Sequence, residues 1–259
     1  MSKKIALITG ASSGIGRDIA RMHAKYRGDV VAVSKGGEKL ANLKKELEND
    51  YKIKVICIEK DLSKVGAAKE IYDEVKKRGI EIDYLVNNAG FGGLGKFSER
   101  DWERDKAMIN LNVLALVEMT RMFLPDFIKR NSGRILNTSS TASLLPGPFQ
   151  AVYYATKAFV SSFSNAIAEE LYDSAVTVTN LMPGPTKTDF GHVSGMNMTK
   201  LFAKTASSQE VAEAGYEAML RGDLNVMGGV SFLNKLMYKM LPLVPKKILL
   251  KYIRKLQDV

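Results

Sequence analysis

Short apolar runs alternate with longer amphipathic segments through most of the chain. Residues 4–9, 29–34, 53–58, 82–86, 133–138 and 175–182 are short apolar runs, with Gly10, Lys35, Asp61, Asn87, Ser139 and Pro183 at or soon after their ends. Runs of that length and composition read as buried strands. Between them lie segments with helical spacing of apolar positions: from Gly16 to residue 27, then 38–49, 65–78, 99–130 and 153–172. A further helix is read over 207–220, with Ser207 or Ser208 as its cap, and a last short strand over 224–227. Strands alternating with helices at this interval predict an α/β fold, a doubly wound parallel sheet of about seven strands with helices on both faces. Ligands of such sheets sit outside the carboxyl ends of the strands.

The residues at those ends carry the candidate chemistry. Gly10, Ser12, Ser13, Gly14, Ile15 and Gly16 form a G-x-x-x-G-x-G turn between the first strand and the first helix. Glycines there let a diphosphate approach the backbone, and the helix N-terminus supplies free N–H groups. A tight turn with a serine cap is the plainer reading. The second strand ends in Ser34 and Lys35, where an Asp would bind ribose hydroxyls and repel a 2′-phosphate. A hydroxyl and a cation suit a phosphate, which favours NADP(H) over NAD(H). Asp61 and Leu62 follow the third strand. Asp61 either meets the adenine amino group or caps the helix beginning near Ser63. Asn87, Asn88, Ala89 and Gly90 end the fourth strand, and the glycine-rich stretch 91–95 reads as a loop over a ligand. Asn110 and Asn112 lie in an apolar run and need partners if buried. Ser139 and Ser140 end the fifth strand. Tyr153 and Lys157, four apart, share a helix face. A phenol beside an ammonium group loses its proton more easily, which suits proton transfer to a carbonyl oxygen.

Composition narrows the class. The 259 residues are 46% hydrophobic, enough for a full core, and carry a net charge of +10. Zinc-finger spacing, an RNA-binding aromatic motif and a basic block are all missing, so no nucleic-acid partner is expected. Two histidines, His23 and His192, stand far apart, and no metal site is expected. Cys57 is the single cysteine and reads as a buried structural thiol. Trp102 reads as packing. The first residues lack a signal-peptide pattern, and no uncharged apolar stretch is long enough to span a membrane, so a cytoplasmic protein is expected.

With these residues assembled, residues 3–190 resemble the short-chain dehydrogenase/reductase family, classical type. The resemblance rests on Thr9-Gly10, Gly14-Ile15-Gly16, Asn87-Asn88-Ala89-Gly90, Asn112, Ser140 with Tyr153 and Lys157, and Pro183-Gly184 with Thr188, in the family's order. It implies a Rossmann-like fold and an NADP(H)-dependent oxidoreductase interconverting a carbonyl and a secondary alcohol. By the same resemblance Tyr153 is the acid/base. Lys157 holds the nicotinamide ribose and depresses the tyrosine pKa, and Ser140 stabilises charge on the substrate oxygen. Asn112 holds a water in a proton relay. Asn88 touches the adenosine, and Pro183, Gly184, Thr186 and Thr188 touch the nicotinamide side. A homodimer or homotetramer formed through the helices around Leu111 and Phe159 is also implied. The alternatives are a catalytically silent nucleotide-binding scaffold protein and a peripheral membrane lipid reductase.

The chain then departs from the family. A substrate lid is placed over about residues 186–206, with Met196, Met198, Leu201 and Phe202 in it. Residues 1–229 are assigned to the dinucleotide fold and 230–259 to a C-terminal helical extension, basic and amphipathic, with seven cations against Asp258. Helices packed on the domain or on a partner subunit, a membrane-surface contact, and a lid over a lipophilic pocket are the three readings of that extension.

Overall fold

Successive residues of a strand point to opposite faces of a sheet. Here both faces are apolar: Ala6, Ile8, Val30, Ala32, Val86 and Leu136 enter one core, while Leu7, Val31, Val33, Leu85 and Ile135 enter another. Such a sheet must be covered on both sides. In a computed structural model, which describes residues 3–257 apart from the side chains of residues 201, 239 and 242, helices cover both. The chain runs β1 (Ile5–Thr9), α1 (Gly14–Lys25), β2 (Asp29–Ser34), α2 (Gly37–Tyr51), β3 (Val55–Glu59), α3 (Ala67–Lys77) and β4 (Tyr84–Asn87). Next come α4 (Trp102–Ile109) and α5 (Leu116–Lys129), then β5 (Gly133–Thr138), α6 (Ala151–Glu170) and β6 (Val176–Pro183). Two short strands, β7 (Thr186–Lys187) and β8 (Ala206–Ser207), flank α7 (Asp189–Ser194). Last are α8 (Ser208–Arg221), β9 (Asn225–Gly228), α9 (Phe232–Met240) and α10 (Lys246–Gln257).

Seven strands form one parallel sheet in the order β3-β2-β1-β4-β5-β6-β9. This is the Rossmann-like, doubly wound arrangement expected. The order reverses between β1 and β4, so a crevice opens above their carboxyl ends. The core on one face takes Ile19, Leu40, Leu47 and Tyr216 from α1, α2 and α8. The other takes Ile71, Val75, Met119, Phe123 and Phe127 from α3 and α5. Each such side chain contributes roughly 1.5–3 kcal/mol by leaving water.

Four local expectations change. The helix expected over 99–130 starts only at Trp102, capped by the Asp101 carboxylate, which accepts the Glu103 N–H at 3.0 Å. Trp102, expected to pack, is 56% exposed, because that first turn lies on the outer side. The same helix is interrupted by a π-helical turn, Asn110–Ala115. By length and composition the stretch Trp102–Lys129 resembles a membrane span, yet its apolar side chains Met119, Phe123 and Phe127 lie against the sheet. Cys57, expected buried, is half-buried, with its Sγ 3.5 Å from the Leu40 carbonyl, and burial pushes its thiol pKa up. Ser207 is the cap of α8, its hydroxyl accepting the Glu210 N–H at 3.1 Å.

Candidate active site

A cavity of about 1790 Å³ lies over the carboxyl ends of β1, β4, β5 and β6. A single small-molecule pocket is usually about 300–1,000 Å³, so this space suits two molecules side by side. One end is built by the first turn. Gly10 and Gly14 have φ of 67° and 55°, a region where only glycine is unstrained. A Cβ on Gly16 would lie 2.4 Å from the Gly10 carbonyl, so this glycine sits behind the turn and lets it close. Ser13 precedes α1 without a side-chain cap bond, and the first turn of α1 holds no acidic residue. The free N–H groups there remain available to an anion. This cradle fits a dinucleotide's diphosphate.

The groove continues past Ser12 and Ser34, whose hydroxyls are 2.8 Å apart, to Lys35 and Lys60 at the ends of β2 and β3. Asp61 and Leu62 line its wall. The Asp61 carboxylate accepts both the N–H and the hydroxyl of Ser63, at 3.0 and 2.7 Å. Burial pushes its pKa up, but the Ser63 bonds outweigh this and hold it below the ordinary value. Asp61 therefore caps the turn and lines the groove at once. Asn88, Ala89 and Gly90 form the opposite wall. Thr9, which the pattern marked only as a strand end, positions them. Its hydroxyl accepts the N–H groups of Asn88 and Ala89 at 2.9 and 3.0 Å, and the Asn88 amide donates back to the Thr9 carbonyl at 3.0 Å.

At the other end stand Ser140, Tyr153 and Lys157. Tyr153 and Lys157 are 6% and 5% exposed. Lys157 Nζ donates to the Thr138 carbonyl at 2.8 Å and lies 6.0 Å from the centre of the Tyr153 ring. Burial pushes the Lys157 pKa down to about 8. Burial also pushes the Tyr153 phenol up to about 12, although contact with the Ser140 hydroxyl pulls the other way. The depression of the phenol by Lys157, expected from their spacing, is thus absent from the chain alone: desolvation disfavours both charged forms more than they support each other. Ser140 Oγ accepts the Ala142 N–H at 3.1 Å. Ser139 turns away, its hydroxyl 2.7 Å from that of Ser161 and 3.1 Å from the Lys157 carbonyl, and so fastens β5 to α6.

Asn112 sits in the π-helical turn and does not line the cavity. Its amide donates to the Phe91 carbonyl and the Thr156 hydroxyl at 3.0 and 3.1 Å, and its Oδ1 accepts the Phe91 N–H at 3.1 Å. One amide proton is spent on the loop after β4 and the other on α6, leaving one lone pair on Oδ1 for any relay. Asn110 instead donates to the Ser63 carbonyl at 3.3 Å. Pro183, Gly184, Thr186 and Thr188 line the cavity beyond β6. Thr186 bonds the Gly184 carbonyl at 2.8 Å, and Thr188 caps α7 through the Phe190 N–H at 3.3 Å.

Beyond Tyr153 the lining becomes apolar: Phe91, Leu145, Phe190, Met196 and Phe202. Of the expected lid residues, Met196 is buried and Phe202 faces the cavity, whereas Met198 is 69% exposed. The side chain of Leu201 lies outside the described residues. The C-terminal helices close the chamber with Met237, Tyr238, Leu241, Leu249, Ile253 and Leu256. Gln257, 1% exposed, donates to the Tyr154 hydroxyl at 2.8 Å and pins the end of α10 beside α6. The helical period of residues 249–256 signalled an inner face, and of the three readings of the extension the lid over a lipophilic pocket is the one this lining matches.

The short chain dehydrogenase family model matches residues 4–198. The human very-long-chain 3-oxoacyl-CoA reductase is 31% identical over 229 residues, 85% of this chain and 71% of that protein. The NADP-dependent 3-hydroxy acid dehydrogenase of Escherichia coli (strain K12) is 39% identical over 185 residues, 70% of this chain and 71% of that one. A short-chain dehydrogenase from Sphingobium yanoikuyae, solved in complex with NADPH, superimposes with a TM-score of 0.82 at 26% identity, covering 93% of this chain and 96% of the other. With the strand order, the glycine turn and the cluster of Ser140, Tyr153 and Lys157 in place, these likenesses make one conclusion plain: this chain belongs to the short-chain dehydrogenases.

Proposed function

We propose that the protein interconverts a ketone and a secondary alcohol on a lipophilic, acyl-like substrate with NADP(H). The observation that carries this reading is the meeting of the buried Tyr153 and Lys157 with the half-buried Ser140 where the dinucleotide groove joins an apolar chamber. NADP(H) supplies the hydride when bound. The preference for the 2′-phosphate form rests on Lys35 and Lys60 beside Ser34, and is supported by the NADP dependence named for the Escherichia coli relative. The relatives act on 3-oxoacyl and 3-hydroxy acid compounds, and an apolar chamber suits the acyl chain of such a substrate.

The chain's own residues would work as follows. The Ser140 hydroxyl donates to the substrate carbonyl oxygen and stabilises the negative charge that grows there. Tyr153 Oη gives its proton to that oxygen in reduction and takes it back in oxidation. Lys157, when protonated, places a positive charge 6.0 Å from the centre of the Tyr153 ring, which favours the phenolate against the desolvation that holds the phenol up. Asn112 Oδ1, beside the Lys157 amine across Gly90, offers the next acceptor for a proton path. Phe91, Phe190 and Phe202 keep bulk water from the reacting carbonyl.

Tyr153→Phe tests the assignment. It is expected to keep NADPH binding, followed by fluorescence, and to lower ketone reduction by about 10²–10⁴-fold, the usual contribution of a positioned general acid. Turnover within a few-fold of the parent protein would reject Tyr153 as the proton donor.

A further inference from the structure

One face of the C-terminal helices closes the chamber, and the opposite face has no partner among the described residues. Phe232, Leu233 and Leu243 are 80%, 76% and 74% exposed, with Leu236 and Met240 about half exposed beside them. None of these five lines the cavity. They recur at helical spacing along α9 and its following turn, so they form a continuous apolar strip. An exposed apolar strip of this kind marks an interaction surface.

Charge identifies the occupant. Residues 230–257 hold six Lys and one Arg and no Asp or Glu, so this segment contributes +7 to a chain whose total is +10. Lys235, Lys246, Lys247, Lys251 and Lys255 are exposed, and none of them forms an ion pair among the described residues. A second copy docked face to face would set seven cations against seven, because a two-fold contact pairs a surface with itself. An acidic protein site would favour the planar fork of Arg, whereas point-charge lysines suit a diffuse anionic surface. A row of apolar side chains flanked by lysines matches the boundary between phosphate headgroups and acyl chains.

We infer that α9 and α10 dock the protein on the surface of an anionic phospholipid bilayer. Ile248 and Tyr252 are 61% and 59% exposed and also line the chamber, so its mouth opens beside the docked face. A lipophilic ketone dissolved in the bilayer then reaches Tyr153 without crossing water. This second step rests on the proposed reductase reading; the docking itself does not.

The test is sedimentation of the full chain with extruded vesicles of phosphatidylcholine alone or mixed with phosphatidylserine. The mixed vesicles are expected to carry down at least about tenfold more protein, an advantage lost at high salt. Phe232→Ser with Leu233→Ser and Leu243→Ser removes the apolar strip without touching the chamber. Lys246→Glu with Lys247→Glu reverses charge and leaves the strip. Each is expected to lower binding to mixed vesicles by about tenfold or more while leaving NADPH-dependent reduction of a water-soluble ketone unchanged. Equal sedimentation with both vesicle types, or unchanged binding of both variants, overturns the proposal. So does a dimer, seen by light scattering, that the serine variant abolishes without any vesicle binding, since it assigns the strip to a second copy. Vesicle binding by a protein without reductase activity leaves the docking standing and rejects the catalytic reading instead.

Discussion

Burial sets the resting protonation of Lys157 and Tyr153. The Lys157 pKa falls from 10.5 to about 8, and that of Tyr153 rises from 10.0 to about 12. The signs make a measurable pattern in the ligand-free protein. Between the folded and unfolded values for Lys157 the unfolded chain holds a proton that the folded chain has released, so stability rises with pH through that window. Above the unfolded tyrosine value the folded chain keeps a proton the unfolded chain has lost, and stability falls. Urea midpoints are therefore expected to climb from pH 8 to 10 and then decline, with the climb removed in Lys157→Met. Parallel profiles for the two proteins would contradict the burial argument. At the far end of the groove, Lys35→Glu should lower the preference for NADPH over NADH by roughly tenfold or more, because it sets a carboxylate where a phosphate would sit. Stopped-flow cofactor titrations with both nucleotides check this.

Tyr153 and Lys157 reach their places through α6, and α6 is held in register by buried polar contacts. Asn137 on β5 accepts from the Asn87 amide at 2.9 Å and donates to the Ser164 hydroxyl at 3.0 Å. Removing it leaves buried partners short of bonds, which costs about 1–3 kcal/mol. Asn137→Ala should therefore lower Tm by about 2–4 °C per kcal/mol in a domain of this size, and slow turnover by letting α6 shift. A thermal melt that superimposes on that of the parent protein would remove Asn137 from this role. The helix read over 99–130 shows where the pattern stopped informing. Its apolar spacing gave the correct side to bury, but not the π-helical turn at Asn110–Ala115, which carries Asn112 with its amide bonded to the main chain of Phe91. π-helical turns are frequent at functional sites, and this one leaves no mark in local periodicity.

Across the whole molecule, residues far apart in sequence close one chamber. The last turn of α10 reaches α6 through Gln257 and Tyr154, 103 positions apart. Ending the chain after Gly229 should raise KM for long-chain ketones by about tenfold or more, the loss expected from a few buried apolar contacts. Reduction of a small water-soluble ketone should change little. Gln257→Ala, which leaves the Tyr154 hydroxyl buried without its donor, should shift KM in the same direction and by less. Equal KM values for long and short ketones in the truncated protein would show that the helices do not form the substrate wall.

Much of the fold was legible because it depends on short-range rules. Two-sided apolar runs of strand length, helices of period 3.6 between them, and a glycine turn after the first strand each follow from local sterics and burial. Ser140, Tyr153 and Lys157 were legible as residue types at set spacings on a strand end and a helix face. Other features depended on which distant segments meet. Thr9 behind Asn88, the single use of both Asn112 amide protons, the outward turn of Met198 and the inward turn of α10 are all contacts between elements. Electrostatics divided the same way. Counting charges identified a basic tail, because net charge is a sum over residues. The pKa of Tyr153 depended on how much water the packed structure removes from the phenol, and desolvation is a property of the closed chamber, outweighing the helical spacing of Tyr153 and Lys157.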